Sequence, residues 1–373
     1  MSYLWQTLLP FATDSTGICS MFADSKALII GHDPSSSAVR GYQLTEHRED
    51  KTSVNVGLQI NEMALILGDL DYYVEKYYEH YNQKDHQDCD LIVLLHAPVS
   101  SMINLDIRLC AKMLQQKLPG VTVLPMDNNG NRYYDEGLSM AYQEVLKLAD
   151  SDLKEKIPNT VNLLGLNTLD YPDAKDRQAI QEAVCHQGYK ILSVFGMQTD
   201  LDRLKQSVQA EKNIVVSASG IFAARLMEEK WGIPYSYLTD FIVDWKDSRM
   251  GQALQAVNAL SNPKEILIIG EQVSSNLLRL ALKKNGSPKV TVSSWFILDE
   301  EIKRDGDFVI QDEAQLKEVL QDPRYDVVIG DPVFKAFWDD SSKRSYIELS
   351  HPPVAPNNRA FGGRHFREHR GHP

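Results

Sequence analysis

Four short apolar runs, each ending abruptly in glycine or histidine and then in small polar residues, do most to decide what this chain can fold into. They are Ala27-Leu-Ile-Ile-Gly-His32, Leu91-Ile-Val-Leu-Leu-His96, Val161-Asn-Leu-Leu-Gly165 and Ile266-Leu-Ile-Ile-Gly270. None has the polar alternation of a half-solvated strand, so both faces must be covered, as in a parallel sheet under helices. Segments of helical character separate the runs, and parallel strands require such crossovers. The class is therefore α/β. An open parallel sheet places its ligand crevice beyond the carboxyl ends of its strands. The residues that follow the first two runs are the candidates: His32, Asp33, Ser35, Ser36 and Ser37, then His96, Ser100 and Ser101. Serines there can cap a following helix, whose first free N–H groups suit an anion or an electron-rich group.

With 373 residues, the chain exceeds one ordinary core. The breaks divide it into an N-terminal α/β domain over 1–155, a middle one over 156–258 and a C-terminal one over 259–350. The last stretch, 351–373, is rich in Arg and His and reads as a mobile or partner-ordered tail. Within this frame, a helix ends at Trp231 with Gly232-Ile-Pro234 as its stop, and a long connecting helix is expected over 240–259. A net charge of −12 excludes a general nucleic-acid or anionic-membrane surface. No apolar run approaches the roughly 20 residues of a membrane span, and the N-terminus lacks the marks of a signal peptide. Cys19, Cys89, Cys110 and Cys185 are widely spaced and form no CxxC pair, which fits a reducing cytoplasm. G-x-G-x-x-G, P-loop, H-E-x-x-H and G-x-S-x-G patterns are absent.

The order of these landmarks resembles the nitrogenase component 1-type oxidoreductases, which include the molybdenum–iron protein subunits and the dark-operative protochlorophyllide reductases. Where that family runs from a strand into His-Gly-Pro-x-Gly-Cys, this chain has Ile30-Gly-His-Asp-Pro-Ser-Ser-Ser37. Where the family has Thr-Cys-Pro before a Gly-Asp-Asp-Ile helix start, it has Leu95-His-Ala-Pro-Val-Ser-Ser-Met-Ile-Asn-Leu-Asp-Ile107. Val161-Asn-Leu-Leu-Gly165, Asn213-Ile-Val215, Ala223 to Tyr235 and Asp326 to Gly330 are similar to further family strands and a helix end, so the likeness spans about residues 10–352. It implies three Rossmann-like parallel-sheet domains around a central cleft. It also implies an oxidoreductase subunit that pairs with a similar subunit, as homo- or hetero-oligomer, and takes electrons from an ATP-dependent iron–sulfur reductase.

The family's three cluster-cysteine positions fall near Phe11, on Ser37 and on Ala97, residues that cannot replace thiolate on iron. Nitrogen fixation is not expected. An iron–sulfur cluster, where there is one, would be shared with a partner subunit, with Cys19 as the lone metal ligand from this chain; the bland reading of Cys19 is a buried small hydrophobe. His32 and His96 could meet at one crevice, or each could satisfy a backbone carbonyl. Asp33 could cap a helix or ligate through oxygen. The serines serve as caps or as a cradle for a carboxylate or phosphate. The alternative function is a cluster-free binding or scaffold protein for a tetrapyrrole, a metal cofactor or another anionic ligand.

Overall fold

The structure, a computed structural model, describes residues 6–32 and 52–354 apart from short stretches at 59–60, 85, 97, 103–104, 150–154, 198–199, 262, 285–287, 340 and 342. Asp33, Ser35, Ser36 and Ser37 thus lie outside the described residues, as does most of the Arg- and His-rich tail.

The chain order begins with helix α1 (Asp14–Phe22), β1 (Ala27–His32), β2 (Val54–Leu58), α2 (Glu62–Ile66), α3 (Leu70–Tyr81), β3 (Leu91–Leu95), α4 (Pro98–Met102), α5 (Ile107–Lys117), β4 (Thr122–Met126) and α6 (Tyr134–Leu146). A second unit holds β5 (Ile157–Leu164), α7 (Ala174–His186), β6 (Lys190–Phe195), α8 (Leu201–Lys205), β7 (Ala210–Val215), α9 (Ile221–Trp231) and β8 (Tyr235–Tyr237). Helix α10 (Arg249–Asn258) leads to β9 (Glu265–Ile269), α11 (Gln272–Lys284), β10 (Lys289–Ser294), β11 (Phe308–Val309), α12 (Glu313–Gln321), β12 (Val327–Gly330) and β13 (Ser345–Glu348).

Three sheets result, in the orders β2-β1-β3-β4, β6-β5-β7-β8 and β11-β10-β9-β12-β13, with every strand pair parallel. The four runs identified from sequence are β1, β3, β5 and β9, each an inner strand of its sheet, and all four are buried through their apolar residues. In each sheet the order reverses next to the first strand of the unit: between β1 and β3, between β5 and β7, and between β9 and β12. Such switch points are where a doubly wound sheet opens a crevice.

The sheets share one apolar core that runs from Leu8 to Val354, while a smaller core lies between the first sheet and α3 and α5. Helix α9 ends at Gly232 with φ 62°, the expected left-handed stop. The connecting helix is shorter than the sequence suggests: Ser248 caps it, and Asp247 (φ 61°) turns the chain just before it. Edge strands β8, β11 and β13 carry too few residues for a period to announce them. His351 to Val354, expected to open the tail, are buried, and the Pro353 carbonyl accepts a bond from Ala12 N at 2.7 Å. Among the described residues no helix is long and apolar enough to cross a membrane.

Candidate functional site

The first switch point brings His32 and His96 together, with ring centroids 6.4 Å apart. His32 closes β1, and its Nδ1 donates to the Leu95 carbonyl at 2.7 Å. That fixes the tautomer, so Nε2 accepts from the Tyr77 hydroxyl on α3. Both ring nitrogens are therefore engaged inside the protein. His96 Nδ1 meets Ser100 Oγ at 3.1 Å, and its backbone N–H and carbonyl are both held by the Asn128 amide. Ser101, one residue on in α4, is half-buried.

Burial, with the neighbouring His96 adding to it against the pull of the Leu95 carbonyl, lowers the His32 pKa to about 4. The unfolded imidazole takes up a proton below its ordinary value near 6.5, which the folded one refuses until about 4. Stability from this residue is therefore complete above about pH 6.5 and falls with acidification, by up to about 1.4 kcal/mol per pH unit. Tyr77→Phe leaves Nε2 buried without a donor. Chemical denaturation at pH 7 is expected to show a loss of about 1–3 kcal/mol, the desolvation cost of an orphaned acceptor.

Asn128 also donates to Ser15 Oγ on α1, and the Asp14 carboxylate of α1 accepts from Asn129 and Gly130 N–H at 3.1 Å. Helix α1 packs directly on α6, so this end of the first sheet is tied to the N-terminus of α6. There the other two switch points converge. Asp170, in the turn after β5, accepts from Tyr134 Oη at 2.5 Å and from Asn167 Nδ2 at 2.7 Å. His351, just after β13, places Nε2 3.0 Å from Tyr134 Oη and 3.3 Å from Asp170 Oδ1. The single phenolic proton goes to Asp170, so His351 Nε2 is the N–H donor of the pair. Asp331, following β12, accepts from His351 N at 2.6 Å.

Glu271, the first residue beyond β9 and Gly270, reaches across to the second sheet and accepts from Ala218 N at 2.8 Å. The next residue of α6, Asp135, accepts from Ile297 N at 2.7 Å through Oδ2, while its buried Oδ1 has no hydrogen-bond partner. Burial, reinforced by the Asp170 charge, pushes the Asp135 and Glu271 carboxyls up to about 7. Phe296 closes the apolar side, edge-on to Tyr134 at 4.9 Å and to His351 at 5.3 Å. The group is closed to water: Tyr134, Asp135, Asp170, Glu271, Asp331 and His351 are each 7% exposed or less.

Sequence reasoning missed these residues. Glu271 alone carried a usable signal, because it follows a strand-ending glycine in the same grammar as His32. An open cleft of about 420 Å³ lies at the other ends of the first sheet's strands, lined by Asp24, Lys26, Asp90, Asp202 and Lys205. It is solvated and of mixed sign, and it faces away from the switch points.

The iron–sulfur cluster implied by the resemblance does not fit the cysteines present. Cys19 lies wholly inside the core on α1, and Cys89 and Cys110 are buried in the smaller core. Burial pushes the Cys110 thiol up to about 12 and raises Cys89, whereas a cluster requires thiolates. Cys185 is exposed on α7, in the second unit. Among the described residues no three His, Cys, Asp or Glu side chains are placed to hold a metal ion.

Comparison with known proteins places this geometry. Two solved structures titled "Nitrogenase Cp1 at pH 6.5" and "Nitrogenase Cp1 at pH 5" share the fold. The first superposes with a TM-score of 0.70 at 11% identity, covering 97% of this chain and 90% of that one. The second gives 0.66 at 15% identity, covering 94% and 85%. No curated protein sequence matches the chain. The family model described as nitrogenase component 1 type oxidoreductase matches residues 26–275. With two thirds of its length under that model and the same three-sheet fold throughout, this chain belongs to the nitrogenase component 1-type oxidoreductase family.

Proposed function

We propose that this protein is a subunit of a nitrogenase-like reductase that does not fix nitrogen. It pairs with a similar subunit in the cytoplasm and supplies a wall of the substrate cleft and its proton-bearing groups. Electrons reach the assembly from an ATP-dependent iron–sulfur reductase. The observation that carries this reading is the buried Tyr134–Asp170–His351 network at the meeting of the switch points, flanked by two carboxyls that hold protons near neutrality. Reduction consumes protons with electrons, and groups with pKa near the working pH are suited to deliver them. Any cluster in the assembly belongs to the partner, because the cysteines here do not fit one. His32, His96, Ser100 and Ser101 form the wall at the first switch point; Asp33, Ser35, Ser36 and Ser37, the other candidates, lie outside the described residues.

A second reading, a cluster-free scaffold for a tetrapyrrole, metal cofactor or other anionic ligand, is favoured by the burial of Cys19, Cys89 and Cys110. The test is anaerobic purification, alone and co-expressed with an adjacent nitrogenase-like subunit, followed by assay of iron, sulfide and charge-transfer absorbance. The reductase reading expects colourless protein alone and a brown complex that an ATP-dependent iron–sulfur reductase bleaches. Colourless protein from both preparations overturns it in favour of the scaffold.

A further inference from the structure

The small core of the first unit holds a row of tyrosines on α3, and one of them meets a base. Tyr77 and His32 are both wholly buried. The Tyr77 hydroxyl donates to His32 Nε2, and His32 Nδ1 donates to the Leu95 carbonyl. Their rings stand edge to face with centroids 5.3 Å apart. Burial keeps the imidazole neutral at physiological pH, so Nε2 is a proton acceptor already bonded to a phenol. Cys110, the other polar neighbour of Tyr77, does not compete for that proton, because its own thiol is held protonated by burial.

Other phenols are partnered differently. Tyr73, Tyr171 and Tyr346 donate to the backbone carbonyls of Asn61, Val216 and Asp331, which do not take up protons. Tyr134 donates to the Asp170 carboxylate, and its ring neighbours are Phe296 and His351. Tyr77 is reached from the surface by other tyrosines. Tyr72, half-buried, stands edge-on to Tyr73 at 5.4 Å, and Tyr73 edge-on to His32 at 5.9 Å. Tyr73 and Tyr77 are also i, i+4 neighbours on one face of α3. Lys76 Nζ lies 5.9 Å from the centre of the Tyr72 ring, which disfavours a positive charge resting there.

We propose that Tyr77 and His32 form a one-electron redox site fed through Tyr72 and Tyr73: an oxidising equivalent that reaches the surface is held inside as a neutral tyrosyl radical. The oxidant class is an organic peroxyl radical, which gains an electron at Tyr72 and a proton from water and leaves as a hydroperoxide. Tyr77 supplies that electron. Its O–H bond breaks as the proton moves along the existing hydrogen bond to His32 Nε2, leaving the oxygen radical beside an imidazolium still bonded to Leu95. An oxidised phenol is a far stronger acid than an imidazolium, so the transfer is downhill even to a buried base. Tyr72 and Tyr73 have no such base, and the equivalent therefore settles at Tyr77. One electron from an ascorbate-type reductant, with return of the proton, restores the phenol. The site requires no cluster and no partner, so it stands apart from the reductase reading.

The test is flash photolysis of the full chain with ruthenium tris-bipyridine as photo-oxidant and hexaammineruthenium(III) as quencher, followed by EPR. The wild type should give a neutral tyrosyl signal that outlives any in Tyr77→Phe at least tenfold. Tyr72→Phe should keep that lifetime and lose at least threefold in yield. Proton ENDOR of the wild-type radical is a second measurement, independent of whether Tyr77→Phe folds: a coupling from the proton now on His32 Nε2 should appear in H2O and vanish after full exchange into D2O. Equal lifetimes in wild type and Tyr77→Phe, an unchanged yield in Tyr72→Phe, or a wild-type radical without an exchangeable coupling would each overturn the relay.

Discussion

Replacing Gly137 by alanine is expected to destabilise the protein by about 3 kcal/mol or more, measured as a lower midpoint in chemical denaturation. On an exposed helix the same change would stabilise by roughly 1 kcal/mol, because glycine is the poorer helix former. Here the sign reverses. A Cβ at Gly137 would lie 2.1 Å from the Asp14 carbonyl oxygen, and one at Gly17 would lie 1.9 Å from the Tyr134 carbonyl oxygen. Both obstacles are backbone, so neither can rotate away. The two helices cross with their main chains in contact, and this crossing sets the position of Tyr134 and Asp135 at the junction. Gly57→Ala, where the added methyl meets nothing within 4 Å, is the control and should leave the midpoint almost unchanged. An unchanged midpoint for Gly137→Ala would mean that α1 and α6 are not seated as described.

Arg279→Met is expected to cost about 3–5 kcal/mol, because it strands a buried carboxylate. Arg279 on α11 places Nη2 2.5 Å from Asp307 Oδ1, and both side chains are almost wholly buried. Asp307 also accepts from Val292 N at 2.8 Å and from Arg304 N at 2.9 Å, so it pins β10 to the 299–307 loop. Solvated pairs such as Lys76–Glu79 lack this leverage, and their removal should change stability by less than about 1 kcal/mol. Adding Asp307→Asn to Arg279→Met should recover a large part of the loss. The uncompensated charge is then gone and the asparagine oxygen still accepts from one of the two backbone N–H groups, Val292 or Arg304, while the other loses its acceptor. A double-mutant cycle measures that coupling directly, and additive losses would exclude a charge pair.

The strand grammar was legible from sequence for a simple reason. A parallel strand between helix layers must be apolar on both faces, so β1, β3, β5 and β9 declare themselves within five or six residues. The family resemblance lay in the same places, since the residues after those strands line the switch points. His32 and His96 could be placed near each other by that logic. Their hydrogen bonds could not, because the group that meets His32 Nε2 is Tyr77, 45 residues away on a helix whose tyrosines read equally well as packing.

What the sequence determined by itself was the class of the fold, the positions of its inner strands and the lack of a thiolate set for a cluster. Each depends on local composition, which survives without knowledge of neighbours. The junction was decided by the tertiary structure. Tyr134 and His351 are 217 residues apart and Asp170 and His351 are 181 apart, and each looks like an ordinary helix start, turn or tail residue in its own segment. Only the packing of three sheets brings these residues together and removes water from them, and that burial is what raises the neighbouring Asp135 and Glu271 carboxyls.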